Sequence, residues 1–456
     1  MKNWLIPTGL VVLVGVAVLG AGLGGAAALP QEPIRESSTR VSVVCPAFQS
    51  ATASVRVAAI STENPVRTSK LSTPQKSTES AGLALVENPG QPVRVSVRRS
   101  EMFGATIVSS AAGGPARGLA AASCLAPQAE HWFAGVDVTE AAQSDLVLVN
   151  LDATNAVVDL VAYGPGGRLS APRGLTVDGN SVSTKSLGLI ARGEQPITLK
   201  VSTSQGRVAA FVRQVTWDGN NPFGADWVPT GLGPQTDQVI PGVPAGKGRR
   251  TLVVTNPGDR TADVKIDVLS ATGLSELTDA QRVEVPPGVT KIVELSPGLA
   301  GVAAGLRLSS NYEVTAGLVA DNGLPPSGLD TAAIGAAPPV PGDAVWPLAL
   351  GRTTTAVLQL VNPSATDATV KLNLSTGAKG APKTSEVKIA AWSSAQVPLP
   401  KADVTTIRIQ TESTVVRGAV LATASLGAVK GLAVLDLIAD ETRVHQAVIV
   451  FDPRLG

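Results

Sequence analysis

Aromatic residues make up only 3% of this 456-residue sequence, and histidine and cysteine occur twice each. So few histidines leave little material for Ser-His-Asp or Cys-His catalysis, because each arrangement needs a placed imidazole. An excess of positive charge is also missing, since 37 Lys and Arg face 36 Asp and Glu and the formal net charge is +1. This balance excludes the basic footprint of a nucleic-acid-binding protein, and we expect no nucleic-acid partner.

Motifs of catalysis and metal binding are missing from the sequence as well. There is no G-x-S-x-G, P-loop or H-E-x-x-H motif, and His131 and His445 lie far apart. Residues 217–226, WDGNNPFGAD, carry oxygen ligands of the kind that calcium binds but lack the spacing of an EF-hand loop, which favours an Asx-rich turn. We therefore predict a non-enzymatic chain with no catalytic residue, no metal and no cofactor.

The N-terminal segment is apolar, with Lys2 as the one charged residue among the first 30. The run is long enough to cross a bilayer, which takes about 20 residues, and it ends in Ala26-Ala27-Ala28, which resembles a signal-peptidase site. Residues 1–30 are predicted to be a signal anchor or a cleaved signal peptide, and 31–40 a polar tether. The charge placement predicts that the remainder lies outside the cytoplasm, as a single-pass membrane protein or as a secreted protein if the signal is cleaved.

A long internal repeat organises the rest of the chain. Three related stretches alternate apolar and polar residues, turn at Asn150, Asn256 and Asn362, and alternate again; these asparagines are 106 residues apart. A period of this length indicates duplication of whole domains, because solenoid repeats are shorter. Alternation interrupted by frequent Gly and Pro turns is typical of an antiparallel sandwich.

The predicted fold is all-β, with three to four tandem immunoglobulin-like antiparallel β-sandwich domains after the N-terminal transmembrane or signal helix. The predicted domains are a divergent repeat with a disulfide at 41–135 and three further repeats at 136–240, 241–345 and 346–456. A single helical turn is predicted at 275–281. The recurrence of the Asn turn at one offset favours a role in building the fold over a role in binding a ligand.

The two cysteines, Cys45 and Cys124, lie at the two ends of the divergent repeat. In an exported chain with two cysteines a disulfide between them is expected, and two buried thiols are the alternative. Such a bond would link the outer strands of the first domain.

A tryptophan lies near each later domain boundary: Trp132, Trp227 and Trp346. Each is either a wedge between neighbouring domains or a platform on which a sugar stacks. The wedge is favoured, because a large aromatic side chain at a domain joint usually packs on the next domain. Wedges predict a semi-rigid rod or a compact stack of domains.

Several motifs together resemble a known group: Cys45-Pro46, the turn at 252–257, VPPG at 285–288 and Trp-Val-Pro at 227–229. They are similar to an actinobacterial family of secreted or membrane-anchored proteins of unknown function. The resemblance implies immunoglobulin-like repeats in the cell envelope and carries over no catalytic residue.

These features together predict a non-enzymatic extracytoplasmic cell-envelope protein that acts as a scaffold, spacer or protein-interaction module. The alternative is a carbohydrate-binding or accessory protein of envelope polysaccharide synthesis. The expected partners are the membrane, through the N-terminal helix, and an envelope protein or glycan.

Overall fold

The computed structural model describes residues 40–47, 53–98, 102–190, 195–219, 221–277, 280–299, 301–323, 330–378 and 380–438. The predicted signal segment, the tether up to residue 39 and His445 lie outside these ranges. Within them, no helix has the length and apolar character needed to cross a membrane. The described helices are single turns, α1 (Leu187–Ile190) and α2 (Ser296–Leu299).

The strands fall into four groups, each of which forms one repeat. The first repeat contains β1 (Arg40–Cys45), β2 (Ser54–Ser61), β3 (Val66–Lys70), β4 (Ser77–Ser80), β5 (Leu83–Glu87), β6 (Val93–Arg98), β7 (Phe103–Ala111) and β8 (Gly118–Ser123). The second contains β9 (Glu130–Val136), β10 (Ala142–Asn150), β11 (Ala156–Gly164), β12 (Gly167–Leu169), β13 (Leu175–Val177), β14 (Ser181–Ser186), β15 (Ile197–Gln205), β16 (Ala209–Asp218) and β17 (Asn221–Val228).

The third repeat contains β18 (Gln235–Val243), β19 (Arg250–Thr255), β20 (Ala262–Ser270), β21 (Gly273–Glu276), β22 (Arg282–Val285), β23 (Thr290–Glu294), β24 (Ala304–Asp321) and β25 (Thr331–Gly335). The fourth contains β26 (Asp343–Leu348), β27 (Thr355–Asn362), β28 (Ala368–Thr376), β29 (Lys383–Ile389), β30 (Ser393–Pro398), β31 (Thr405–Thr411), β32 (Arg417–Leu426) and β33 (Val429–Asp436). The first strand of each later repeat thus begins a few residues before the domain boundary drawn from the sequence.

Every repeat has the same sheet topology. With strands counted by their place in the repeat, one antiparallel sheet has the order 1-6-3-4 and the other 5-2-7-8. The fourth strand is split in the second and third repeats, and β24 runs unbroken through the sixth and seventh places. The predicted all-β fold of tandem antiparallel sandwiches is confirmed, and the divergent first copy shares the strand order of the others.

The strand order can be compared with that of an immunoglobulin constant domain, whose sheets are ABED and CFG. The repeats keep its pairings of the second with the fifth strand and of the third with the sixth. The first, fourth and seventh strands, however, lie on the opposite sheets, and an eighth strand is added.

The predicted helical turn at 275–281 is wrong for its first residues, which belong to β21. The turn at Ala271 and Thr272 returns the chain along β20, so that Ser270 pairs with Gly273. Pairing within the sheet therefore outweighs the weak local helix propensity. Residues 278–279 lie outside the described ranges.

The repeated asparagine is fully buried and holds its turn closed. Asn256 Nδ2 donates to the carbonyl oxygens of Arg260 (2.6 Å) and Val285 (2.9 Å), and the Gly258 amide donates to its Oδ1 (3.0 Å). The corresponding side chains of the second and fourth repeats make the same set of bonds. These bonds tie the turn after the second strand to the end of the fourth strand, which is a structural role.

The four repeats close into a ring. Their eighth strands, β8, β17, β25 and β33, pack in a cycle in which β33 returns to β8. The first strand of one repeat also lies against the next repeat: β9 contacts β24, β18 contacts β32, and β26 contacts β7 of the first repeat. This closed arrangement corrects the predicted rod or stack, because the eighth strands and the first strands of three repeats, which are sheet edges, pack against neighbouring repeats, and the fourth repeat contacts the first.

Glycines permit the close crossing of strands between repeats. A Cβ atom on Gly104 of β7 would lie 2.0 Å from the carbonyl oxygen of Val345, and one on Gly317 of β24 would lie 2.6 Å from that of Ala134. The backbones can approach in this way only because glycine has no side chain.

A buried carboxyl group lies at the centre of the ring. Asp330, which precedes β25, accepts hydrogen bonds from the amides of Leu119 in β8 (2.7 Å) and Leu432 in β33 (2.9 Å). A Cβ atom on Gly118 or Gly224 would lie 2.2 or 2.5 Å from its Oδ1 atom. Asp330 therefore contacts the eighth-strand regions of all three other repeats.

Two further buried aspartates bridge the same strands. Asp226 of β17 accepts a hydrogen bond from the Ala333 amide (3.0 Å), and Asp436 of β33 accepts one from the Gly335 amide (2.8 Å). Burial raises the pKa of Asp330 to about 8 and that of Asp436 to about 7, against the opposing effect of the amide donors. Burial also raises the pKa of Asp226 well above its ordinary value. The centre of the ring therefore favours the protonated acids.

These pKa values predict how stability changes with pH. Folded Asp330 keeps its proton up to about pH 8, whereas an unfolded aspartate releases it near pH 4. The folded state thus binds more protons between these values, and this contribution to stability is full below pH 4 and is lost as the pH rises to 8. In urea unfolding between pH 4 and 8, Asp330→Asn should show a less steep loss of stability than the wild type.

The matched control is Asp178→Asn, because Asp178 is exposed on the second repeat. Its unfolding free energy should follow the wild-type pH dependence. An Asp330→Asn protein with the wild-type slope would contradict the assignment of a protonated, buried Asp330.

Candidate functional site

The predicted disulfide is present in the first repeat. Cys45 and Cys124 are bonded, with an S–S distance of 1.98 Å. Cys45 ends β1, an edge strand of one sheet, and Cys124 follows β8, an edge strand of the other. The bond therefore joins the two sheets of this sandwich along one side.

Trp227 lies between the first and second repeats. It extends from β17 and meets Phe211 edge to face at 6.2 Å between ring centroids. Val44 and Leu125 of the first repeat belong to the same buried cluster. This is the packing expected of a wedge between neighbouring domains.

Trp346 instead faces the interior of the fourth repeat. It is 2% exposed, and its Nε1 donates to the carbonyl oxygen of Ile438 (3.0 Å). The register of the first and sixth strands makes Val239 and Val345 the counterparts of Trp132. Because Trp346 is one residue further along the strand, its side chain points to the opposite face. The three tryptophans are therefore not equivalent residues of a repeated seam.

Trp132 lies at the seam between the second and third repeats. Its ring stacks on Tyr163 with the centroids 6.0 Å apart, and Lys200 Nζ lies 5.1 Å from the ring centroid. Its Nε1 donates to Glu130 Oε1 (2.6 Å), and its carbonyl accepts the Gly231 amide (2.9 Å) from the connection to the third repeat.

A cleft of about 510 Å³ opens beside Trp132. Its walls include Trp132, Tyr163 and Lys200 from the second repeat and Asp259, Arg260 and Tyr312 from the third. The chain contains two tyrosines, and both line this cleft. The Asn256 turn forms part of the wall, so the hydrogen bonds that close this turn also fix the shape of the cleft.

The charged groups of the cleft are held in fixed positions. Glu130 Oε2 lies 2.7 Å from Lys200 Nζ. Burial acts to raise the pKa of Glu130, but hydrogen bonds from Lys200 and Trp132 outweigh it and the pKa is lowered. On the opposite wall, Arg260 lies over the ring of Tyr312 at 5.5 Å, and their hydrogen bond raises the pKa of Arg260. The cleft thus offers both ionised acceptors and ionised donors.

Tyr163 and Tyr312 were missed by the sequence analysis. Tyr163 is the eighth residue of its third strand, where the next two repeats have Leu269 and Ser375. The departure from the repeat pattern was visible in the aligned sequences. The position of Tyr312 beside Trp132 was not visible, because it depends on how the second repeat meets the third.

Trp392 was also missed, and it fills the next seam. It has a φ of 54°, whereas the same turn position carries Gly82 (73°), Asn180 (52°) and Gly288 (69°) in the other repeats. A left-handed conformation costs an ordinary residue about 1–2 kcal/mol, so packing of the side chain must offset this cost. The ring lies under the Arg307 guanidinium at 4.9 Å and closes the contact between the third and fourth repeats.

His131 and Asp226, the other residues that the sequence suggested for catalysis or metal binding, are both buried within the fold. His131 is buried, its Nε2 lies 2.8 Å from the Val208 carbonyl oxygen, and burial lowers its pKa, which favours the neutral ring. Asp226, from the Asx-rich stretch, faces the centre of the ring. In the described part of the chain, no group of three or more His, Cys, Asp or Glu side chains is placed to hold a metal ion.

Comparisons with known proteins give a family and no function. A model described as a family of unknown function, DUF5719, matches residues 92–400. No curated protein matches the chain. A crystal structure of a tetra-tandem repeat in the extending region of a large adhesion protein is 12% identical over 87% of this chain and 98% of that one, with a TM-score of 0.10. A similarity this weak supports no inference about the fold or the function of this chain.

The disulfide gives a direct prediction for the first repeat. Alkylation of unreduced, denatured protein should label neither Cys45 nor Cys124, because both sulfur atoms are bonded. Replacing both by alanine should lower the unfolding free energy of the first repeat by roughly 4 kcal/mol in the chain-entropy estimate for a loop of this length. Denaturant unfolding measures the loss, and labelling of both thiols in the unreduced wild type would contradict the bond.

Proposed function

We propose, for a chain that belongs to the DUF5719 family of unknown function, a non-enzymatic role as an extracytoplasmic scaffold and interaction module of the cell envelope. In this role the ring of four sandwiches is a rigid body that holds its outer clefts in fixed positions, and the N-terminal segment anchors or exports it.

The proposal rests on the structural role of the buried aspartates in the ring. Perturbed carboxyl groups often mark catalytic sites, but here Asp226, Asp330 and Asp436 bind backbone amides of neighbouring repeats. The eighth strands pack around these acids, and the cavity that borders Asp436 has a volume of about 30 Å³, which is room for water and not for a substrate. Groups that would otherwise suggest acid–base chemistry are thus accounted for by assembly of the ring.

Two observations support a location outside the cytoplasm. The sequence begins with an apolar segment that has the features of a signal or anchor. The disulfide of the first repeat is a bond that persists in oxidising compartments and is rare in the cytoplasm.

The second candidate, a carbohydrate-binding role, is favoured by the cleft beside Trp132. Ligand sites are concave, partly aromatic and supplied with a few fixed polar groups, and this cleft has each of these properties. Binding of a glycan would be one way in which the scaffold contacts the envelope.

Labelling of intact cells tests the proposed location. Gly166 lies in an exposed turn, and a Cβ atom added there would have no neighbouring atom within 4 Å, so Gly166→Cys should introduce one reactive thiol without disturbing the fold. A membrane-impermeant maleimide should label this variant in whole cells to the same extent as in lysed cells.

The wild type is the matched control, because its two cysteines are bonded and should remain unlabelled. Labelling of the variant only after lysis would place the ring in the cytoplasm and would remove the basis of the proposed role.

A further inference from the structure

The seams between repeats differ in aromatic content, although the repeats share one topology. At the third-to-fourth seam, Trp392 packs with Val239 and Leu269 and fills the contact. At the second-to-third seam, the equivalents of that valine and leucine are Trp132 and Tyr163, which line an open cleft. A cleft of about 440 Å³ also opens between the first and second repeats, but Trp227 is the one aromatic residue in its lining. The cleft between the second and third repeats has three aromatic residues, in a chain with only 3% aromatic residues.

We propose that this cleft binds an uncharged saccharide, with Tyr312 as its stacking surface. The inference rests on the proposed function as an interaction module and names the ligand class of one of its surfaces.

Aromatic surfaces of the cleft suit the apolar faces of sugar rings. Tyr312 is 37% exposed, whereas Trp132 and Tyr163 are buried except for what they present to the cleft. Because Trp132 and Tyr163 are only 4% and 7% exposed, this stacked pair offers little surface to a ligand, and Tyr312 from the third repeat provides most of the aromatic surface. Ring faces carry partial negative charge, which attracts the polarised C–H groups of a sugar.

The polar groups at the rim suit hydroxyl groups. Glu130, Asp259 and Glu313 offer carboxylate oxygens that accept hydrogen bonds, and Lys200 and Arg260 offer donors. Hydrogen bonds to charged groups are stronger than those between neutral groups. Because three acids face two bases, the cleft has no excess of positive charge that would select a phosphate, a polyanion or a nucleic acid.

A peptide is disfavoured by the backbone around the cleft. A peptide that adds to a sheet needs a strand with free backbone groups. The β9 edge next to the cleft is occupied at Trp132, whose carbonyl accepts the Gly231 amide. Pairing of a peptide strand with β9 is therefore blocked at Trp132.

The cleft is formed before any ligand arrives. Asn256 closes the turn at 256–260 with three hydrogen bonds, and the Glu130–Lys200 pair fixes the opposite wall. A preformed site loses less conformational entropy on binding, which favours recognition of a weakly binding neutral ligand.

Binding of the full-length protein to immobilised polysaccharides tests the inference. The probes are four neutral polymers, a mannan, a galactan, a β-glucan and chitin oligomers, and two acidic polymers, heparin and polygalacturonate. We expect binding to at least one neutral polymer that persists at 0.5 M salt, a concentration at which the Debye length is only about 4 Å and charge attraction is screened. Tyr312→Ala should weaken this binding about tenfold, which is the loss expected when one stacking surface of about 1.4 kcal/mol is removed.

Tyr312→Phe keeps the ring and should stay within about threefold of the wild type, because stacking is retained. Glu313→Gln is a second cleft variant and should also weaken binding, through loss of a charged acceptor. The matched control is Leu189→Ala, which shortens an apolar side chain that is 87% exposed in α1, away from the cleft. The control should bind as the wild type does, and equal unfolding curves establish that all variants are folded.

Binding to none of the neutral polymers would overturn the inference, as would binding that Tyr312→Ala leaves unchanged. Binding to the acidic polymers alone, lost at high salt, would also overturn it. These failures are distinguishable from failure of the proposed function. If intact cells are labelled but no saccharide binds, the proposed ligand is rejected and the proposed location stands. If the protein binds a saccharide in vitro but is labelled only after lysis, the proposed location is rejected and the proposed ligand stands.

Discussion

The carboxyl group of Asp330 lies where the eighth strands of four sandwiches meet, and it bonds to strands that are far apart in sequence. Glycines at positions 118 and 224 leave the room that its oxygens occupy. A buried carboxyl group is costly unless it is neutral or well bonded, and Asp330 has a raised pKa and amide donors from two other repeats. Closure of the ring therefore involves a buried polar junction, in which Asp330 and the two flanking aspartates Asp226 and Asp436 bind backbone amides of neighbouring repeats.

Ring closure determines where the chain can bind a ligand. The first strands of the second, third and fourth repeats, which would be open edges in isolated sandwiches, lie against the next repeat, and the eighth strands pack together at the centre. In the first repeat, Val44 of β1 packs with Val149 and Phe211 of the second. The outer rims of the seams between repeats remain accessible. There the repeats differ: Trp227 packs between the first two repeats, Trp392 fills the seam between the third and fourth, and Trp132 with the two tyrosines borders an open cleft. The repeats thus share the contacts that close the ring, while the residues at the outer rims of the seams differ from one repeat to the next.

Sequence reasoning reached the fold through local signals. The equal spacing of Asn150, Asn256 and Asn362 revealed the repeats, and period-two alternation revealed the strands. The closed ring could not be predicted from the sequence. The contact between the fourth and first repeats joins residues more than 200 positions apart, such as Thr106 and Pro347. Sequence reasoning also treated Trp346 as equivalent to Trp132, although a shift of one residue turns a strand side chain to the other face. The role of Asp330 could not be predicted either, because an aspartate before a strand is common in sequences. Its role depends on the three strands from other repeats that surround it in the structure.

Closure of the ring is tested most directly by a cross-link between the repeats that are furthest apart in the chain. A Cβ atom on Gly427 would lie 3.8 Å from the Cβ of Ala112, which is the mean separation in disulfides, about 3.8 Å. The double variant Ala112→Cys, Gly427→Cys should therefore form an intramolecular disulfide on mild oxidation, read out by mass after alkylation of the remaining thiols. The pair Ala112→Cys, Gly166→Cys is the control and should stay reduced. Equal alkylation of both pairs would contradict the closed ring of four repeats.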